Sequence, residues 1–545
     1  MLPIIPIALL ALQATPAAET SQFMEVTPQG AFVRTGQGSI GAQELGAKQQ
    51  MVTSSRWQNL DGGLAWIGYG TDIGDNGGVV LASRGLNNEG VSLTTSFSSN
   101  ELFFDDMLGS ETPQVAVADR APFAAAMEIH DMDPSSNYDY EATVHFYSTL
   151  GNGTPSWSYV FPRTLNYFGG GVAVSDDAKI VLAWKADPNT GNLLIEAFDQ
   201  LGNMVSSGTL NDGSNFHARQ ARLSSDGSRA YFFIGTSAYI YDVFAASQIH
   251  SHYIGASFDS HAFSGDGKTF AYGTFGSLSV YRDSGAGWSH VHTQSMGGGY
   301  VARLDLDADG NRLGYLNQQY SPAMDRIDVG MIDLDTNTLM WSDSMSAAGT
   351  AYQMAASGIE LNDDGDVLVG CSWGDSLNAT PEAFAYDEAG NMTASIDLPG
   401  SAFGVGVGPD GEVAAAGSKA VHANTFGNGG ATTCFDTFEQ NFHLDGVTQQ
   451  GNIVSLMYLV TPNYATMGFS AGLSPSPTVL GVFDIDLNAL LHSQTFMVPP
   501  GSGVVPVSVP TAPSLAGQTV HIQGYQTYGP GNHVMTVKAS TRIYP

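Results

Sequence analysis

Apolar and polar positions alternate along this chain in short runs, and one pattern of runs keeps returning. In HAFSGDGKTFAYG (261–273) an apolar-edged triplet meets a polar turn centred on Asp266-Gly267, and a second apolar run follows. An Asp-Gly pair between two apolar runs is a strong local hairpin signal. The same pattern occurs in VAVADRAPFAAAM (115–127), VAVSDDAKIVLAW (172–184), ARLSSDGSRAYFF (221–233), LDLDADGNRLGYL (304–316), IELNDDGDVLVGC (359–371) and VGVGPDGEVAAAG (405–417). The turn markers are Arg120, Asp177, Asp226, Asp266, Asp309, Asp364 and Asp410. A second strand-like run ending in a turn follows most markers: VHFYSTLGN, IEAFDQLGN, AYIYDVFAA, SLSVYRDSG, VGMIDLDTN and EAFAYDEAG. Two hairpins per repeat make four short strands, and a period of roughly 40–57 residues is that of a propeller or a related array.

The expected fold is therefore all-β: a seven-bladed β-propeller, with eight blades open, over 79–425. The seventh marker has no clear second hairpin. The hairpin at 79–97, VVLASRGLNNEGVSLTTSF, precedes the first full repeat without a mate. Pairing it with the last blade would close the ring and remove two open sheet edges. Residues 19–78 read as an arm or irregular β-structure. The patch Gly427-Asn428-Gly429-Gly430 within 418–440 reads as a linker. Beyond it the period is lost, and the short strands of 441–545, split by Pro, Gly and Ser, suggest a small β-sandwich.

Composition narrows the function. Lys and Arg number 19 against 52 Asp and Glu, a net charge of -33. Nucleic acid and anionic membranes demand clustered cations, so both are excluded as partners. Residues 1–18, with the apolar run Ile4 to Leu12 and small residues around Ala17 and Ala18, have the form of a secretory signal, although no Lys or Arg precedes the run. No later run reaches bilayer-spanning length. The expectation is a secreted or cell-surface, acidic, monomeric protein. Cys371 and Cys434 leave two readings open in an exported chain: one disulfide or two buried thiols.

FSGDGKTFAYG (263–273) and GPDGEV (408–413) resemble the Ser-Pro-Asp-Gly-Lys hairpins of TolB-like and WD40-like propellers. Asp333 to Trp341 (DLDTNTLMW) and Asp187-Pro188-Asn189-Thr190-Gly191 resemble quinoprotein-type repeats, with Asn337 in the family's Gly position. The last 105 residues resemble β-modules of secreted bacterial surface proteins. These resemblances imply fold, and they bring no catalytic residue with them.

A propeller's usual ligand site is its channel mouth, reached by residues just before the innermost strands. Here those include Tyr167, Phe168, His217, Arg219, Asp259, His261, Tyr300, Arg303, Gln353 and Phe403. A mix of aromatics, His, Arg and Asp suits a protein or glycan partner, or an anion. Asp305, Asp307 and Asp309 open like a calcium loop, but Leu313 and Leu316 stand where further ligands belong, so an ordinary turn competes with calcium. No nucleophile elbow, zinc helix or phosphate loop is present. The leading expectation is a non-enzymatic secreted binding protein. A secreted propeller enzyme (hydrolase, lyase or oxidoreductase) working at the channel mouth is the alternative, and convergence of His217, Asp259, His261 and Arg303 would favour it.

Overall fold

The computed structural model describes most of residues 51–438 outside connecting loops such as 166–169, 212–220, 256–259, 320–323 and 349–352, together with strands within 21–36 and 442–542. All of its described strand ladders are antiparallel, and the chain divides into two units, 51–439 and 1–50 with 440–545.

In the first unit, up-and-down sheets follow one another along the chain. The first sheet joins Ile67–Gly74, Val79–Gly85, Gly90–Thr95 and Ser98–Asp106 in that order. The second runs from Gln114–Val117 out to Trp157–Val160, the third from Gly170–Val174 out to Met204–Asn211, and the fourth from Ala221–Leu223 out to Ser247–Tyr253. A long six-stranded sheet comes next. Its strand Trp288–Leu306 is 19 residues long and serves two halves. Residues 288–295 pair with 277–283, whereas 299–306 pair with 312–319. The front half begins at His261–Phe263 and the rear half ends at Thr338–Ser346. Then comes the sheet from Ala356–Leu361 to Met392–Ile396. The closing sheet joins Ala402–Val407, Val413–Lys419, Gly430–Asp436 and, outermost, Trp57–Asp61.

The first strand of each sheet packs on the first strand of the next, except that within the long sheet His261–Phe263 packs on Trp288–Leu306, which in turn packs on Ala356–Leu361; Ala402–Val407 packs back on Ile67–Gly74. The sheets thus stand round a common axis with their first strands innermost. This is a β-propeller.

The turns behave as the repeats predict. Gly267 has φ 68°, a left-handed conformation that glycine adopts without strain. Ser264 Oγ accepts the Thr269 N–H at 2.9 Å and donates to Asp266 Oδ1 at 2.7 Å, which closes the turn. Ser224 and Ser175 do the same work in the fourth and third sheets, accepting from Arg229 and Ile180. Asn337, in the Gly position of the quinoprotein-like repeat, also sits at positive φ, 54°.

Closure differs from the expectation. Residues 79–97 stay in the first sheet, where Val79–Gly85 and Gly90–Thr95 are its two central strands. The last sheet is closed instead by Trp57–Asp61, in register with Cys434 to Gly430. Arg56 anchors this strand through Asp436 at 2.6 Å. Just upstream, Val52 bridges the outer strand of the neighbouring sheet through Thr393 O and Ser395 N, both at 2.8 Å. A stretch read as an arm is therefore the latch, because any strand with a free ladder edge suffices and the hairpin at 79–97 already spends both of its own. The Gly-rich patch is likewise no linker: Gly427 and Gly429 lie between Val413–Lys419 and Gly430–Asp436 of the closing sheet, and Gly430 begins the second of these strands.

The second unit contains a hairpin, Ser21–Thr27 with Gly30–Gly36, and a three-stranded sheet of Phe442–Asp445, Ile453–Tyr458 and Val504–Ser508. It also contains a sheet centred on Tyr464–Ser470 and Thr519–Gly529, and a hairpin of Leu473–Thr478 with Gly481–Ile485. Residues 1–20, which hold the signal-like run, lie outside the described residues. No helix among the described residues is long and apolar enough to cross a membrane.

Candidate functional site: the channel

The innermost strand of each sheet has one ladder edge facing the axis, and its N–H groups there need acceptors. Three sheets supply them from the preceding neighbour. Asp72 Oδ2 accepts Val117 N at 2.7 Å, Asp305 Oδ2 accepts Leu361 N at 2.8 Å, and Glu360 Oε2 accepts Val407 N at 2.9 Å. All three occupy the same place on the innermost strand: Asp305 and Glu360 are the middle residues of Leu-Asp-Leu and Ile-Glu-Leu, and Asp72 stands between Thr71 and Ile73. The corresponding residues elsewhere are Ala116, Ala173, Arg222, Ala262 and Gly406. Three carboxylates and one guanidinium thus line one level of the channel.

Their ionisation is strained by their surroundings. Burial pushes Asp72 and Asp305 up to about 6, with Arg222 pulling the other way. Glu360 is pushed well above the usual carboxylate range by burial, with Asp72 and Asp305 adding like charge. One end of the channel is tied by the turns. Asn76 N donates to Asp119 O, Arg120 N to Asp176 O, Asp176 N to Ser225 O, and Ser225 N to Gly265 O. The ladder continues from Asp266 N to Ala308 O, Ala308 N to Asp363 O and Asp363 N to Pro409 O, ending at a residue that has no N–H. Over this end lies Arg120. Its guanidinium leaves the second sheet and reaches Asp363 at 2.7 Å and Asp410 at 2.9 Å, in the last two sheets. Asp119 beside it is pushed well up by burial and by Asp176, Asp72 and Asp363.

The opposite end is the mouth. The rings of Tyr69 and Phe403 lie 5.5 Å apart, Trp373 stands edge-on to Phe403 at 6.5 Å, and Phe275 faces Tyr300 at 5.4 Å. Phe426, in the loop after Val413–Lys419, is fully exposed.

The residues expected at the mouth fare unequally. Tyr167, Phe168, His217, Arg219 and Asp259 lie outside the described residues. Tyr300 lies within the strand Trp288–Leu306, partly exposed, with its ring against Phe275. His261 is not a channel residue: strand alternation places Ala262 in the lining position and turns His261 sideways, where it stacks on Phe233 at 4.1 Å and bonds Tyr231 Oη at 3.0 Å. Arg303 follows a bulge and binds Ser357 O at 2.8 Å and Ala302 O at 2.7 Å.

The calcium loop is also corrected. Asp305 faces the channel, Asp309 is exposed, and Asp307 stands in the place of Ser264, its Oδ1 accepting Asn311 N and Arg312 N. Three carboxylates with three separate tasks do not converge, and no His, Cys, Asp or Glu grouping among the described residues could hold a metal. Cys371 and Cys434 are free and buried in different sheets, so no disulfide joins them. Burial pushes their thiols up to about 11 and about 12.

Sequence reasoning missed Asp72, Asp119, Arg120, Arg222 and Glu360 as channel residues. For Glu360 and Arg222 the signal was present, a charged middle letter in IEL and ARL; Asp72, Asp119 and Arg120 carry no such signal.

No protein-family model matches this chain, and no curated protein sequence does. Many solved structures do. One is the β-propeller domain of Cps50 (Swd1) from Myceliophteria thermophila, at 9% identity and a TM-score of 0.39, covering 69% of this chain and 99% of that one.

Proposed function

We propose that this chain is an exported binding protein built on an eight-bladed propeller, with a β-sandwich at 441–545 for attachment or partner contact, and that it performs no chemistry of its own. Counting the two halves of the long sheet as separate blades gives eight, since each half has its own inner strand, hairpin turn and outer strand. The apolar run at 4–12 supports export.

One observation carries the binding reading. In the channel the charged side chains bond to the ring itself: Asp72, Asp305 and Glu360 to neighbouring backbone N–H groups, Arg120 to Asp363 and Asp410. The mouth instead offers partly exposed rings, Tyr69, Phe403, Trp373 and Tyr300, which suit a glycan or a protein surface. The test is an array of glycans and peptides probed with the intact protein and with the double variant Tyr69→Ala, Phe403→Ala. Specific binding that the variant loses while keeping its melting temperature supports the reading.

The enzyme reading has one observation in its favour. Carboxyls whose pKa burial raises, to about 6 at Asp305 and well above the usual carboxylate range at Glu360, suit general acid catalysis. Turnover of glycoside, ester or peptide substrates that disappears in Glu360→Gln would replace the binding reading with this one.

A further inference from the structure

Away from the channel, two pairs of neighbouring sheets meet near their outer strands through packed aromatic rings. Trp157 and Tyr159 of the second sheet pack on Phe198 of the third at 5.3 and 4.8 Å, and Trp341 stacks on Tyr386 at 5.0 Å. The joint between the fourth sheet and the front half of the long sheet is built differently. Its outer strand Ser247–Tyr253 alternates Ile249, Ser251 and Tyr253 toward solvent with His250 and His252 toward the neighbour. His250 stacks on Trp288 at 5.6 Å, and His252 lies 4.3 Å from Tyr281 and 6.1 Å from Phe270. Imidazoles stand where those two joints have tryptophan and tyrosine.

These imidazoles are poorly provided for as cations. His250 Nε2 is buried without a hydrogen-bond partner, and His252 Nε2 meets only the Tyr272 hydroxyl, at 3.4 Å. His290 stands edge-on to Tyr281 at 5.3 Å and brings a third imidazole to the same face. The other ionisable groups around the joint come from every packed strand. Tyr231 and Arg229 belong to Arg229–Ile234, His261 to His261–Phe263, and Tyr272, Tyr281 and Asp283 to Thr269–Asp283. Asp242, from the partner strand Ser237–Asp242, caps its own turn at Ala245 N. Asp283 is the one carboxylate acting on His250, and it is already paired with Arg229 at 3.0 Å. Burial, reinforced by His252 on His250 and by His290 on His252, holds both imidazoles below their ordinary value.

We propose that this joint is an acid-released seam: protonation of His250 and His252 drives the strand Ser247–Tyr253 off the Phe270, Tyr281 and Trp288 face and exposes those rings. The direction follows from linkage. The closed seam favours neutral imidazole, and the released strand titrates at the ordinary value of about 6.5. Release therefore becomes easier as the pH falls through about 6.5, and the effect levels off below the closed-state values.

Hydrogen exchange of the intact protein at about pH 7.5 and about pH 5, corrected for intrinsic exchange, reads the seam directly. Amides of 247–253 should exchange roughly tenfold faster at the lower pH, while those of 338–346, at the Trp341 joint, stay unchanged. In His250→Phe with His252→Phe the acceleration should vanish. Equal protection of 247–253 at both pH values, or an acceleration that persists in the double variant, overturns the proposal. Should the variant not fold, exchange of the imidazole C2 hydrogens in the unaltered chain decides: His250 and His252 must titrate below an exposed histidine, and titration at or above it overturns the proposal.

Discussion

The hub and the rim of this wheel solve the same packing problem in opposite ways. Sheets that radiate from one axis converge inward and diverge outward. At the hub they come so close that side chains nearly disappear: a Cβ on Gly404 would lie 2.5 Å from the Tyr69 carbonyl oxygen, and one on Gly68 2.7 Å from Ala431 O. What holds them there is polar, namely backbone N–H groups of edge strands received by Asp72, Asp305 and Glu360. At the rim the gap is wide, and large rings such as Trp157, Phe198, Trp341 and Tyr386 fill it. The difference teaches that hub cohesion depends on geometry and charge state, whereas rim cohesion depends on buried ring area.

The sharpest way to break the comparison is steric. Gly404→Val should destabilise the protein by at least about 3 kcal/mol in denaturant melts, because the first sheet's backbone, not a flexible side chain, occupies the space. A rim substitution should cost less per atom but remain large. Trp341→Ala should lose about 3 kcal/mol and uncover Tyr386, read in the same melts.

Charge distinguishes the two regions next. Asp305 has its pKa raised to about 6, so the folded protein holds this proton more tightly than the unfolded chain does. That stability is present below about 4 and is lost as pH rises through 6. Asp305→Asn keeps an oxygen for the Leu361 N–H and removes the charge. It should therefore stabilise the protein by about 2 kcal/mol at pH above 7, with the gain fading toward pH 4. A melting temperature that falls above pH 7 and recovers toward pH 4 would show that the charge supports the hub. The smallest effect belongs to the surface of the turns. Lys268→Ala breaks an exposed pair with Asp266 and should change stability by about 0.5 kcal/mol or less.

The hairpin logic of the ring was legible because it is local. Asp266-Gly267 and its relatives form turns through bonds within five residues, and Asn337 takes the left-handed conformation its position demands. Closure was not legible, because Trp57–Asp61 pairs with Gly430 to Cys434, about 370 positions away, and carries no turn signal of its own. The channel was half legible. Charged middle residues in LDL, IEL and ARL are visible in the sequence, but their meaning depends on which face of the strand turns inward. One residue of parity moves His261 out of the channel and Ala262 in. Asp307 misled as a calcium ligand because a carboxylate can replace serine as a turn acceptor without changing the fold.

The account rests on a ring shut by a strand from the beginning of the chain, and one cross-link tests it. Gln58 and Thr433 are paired across the closing ladder, with Gln58 Nε2 donating to Thr433 Oγ1 at 2.9 Å. Gln58→Cys combined with Thr433→Cys should oxidise to a 58–433 disulfide, found as one linked peptide by mass spectrometry, and should raise the melting temperature. If both thiols stay reactive in the folded protein, or residue 58 links elsewhere, the closure described here is wrong.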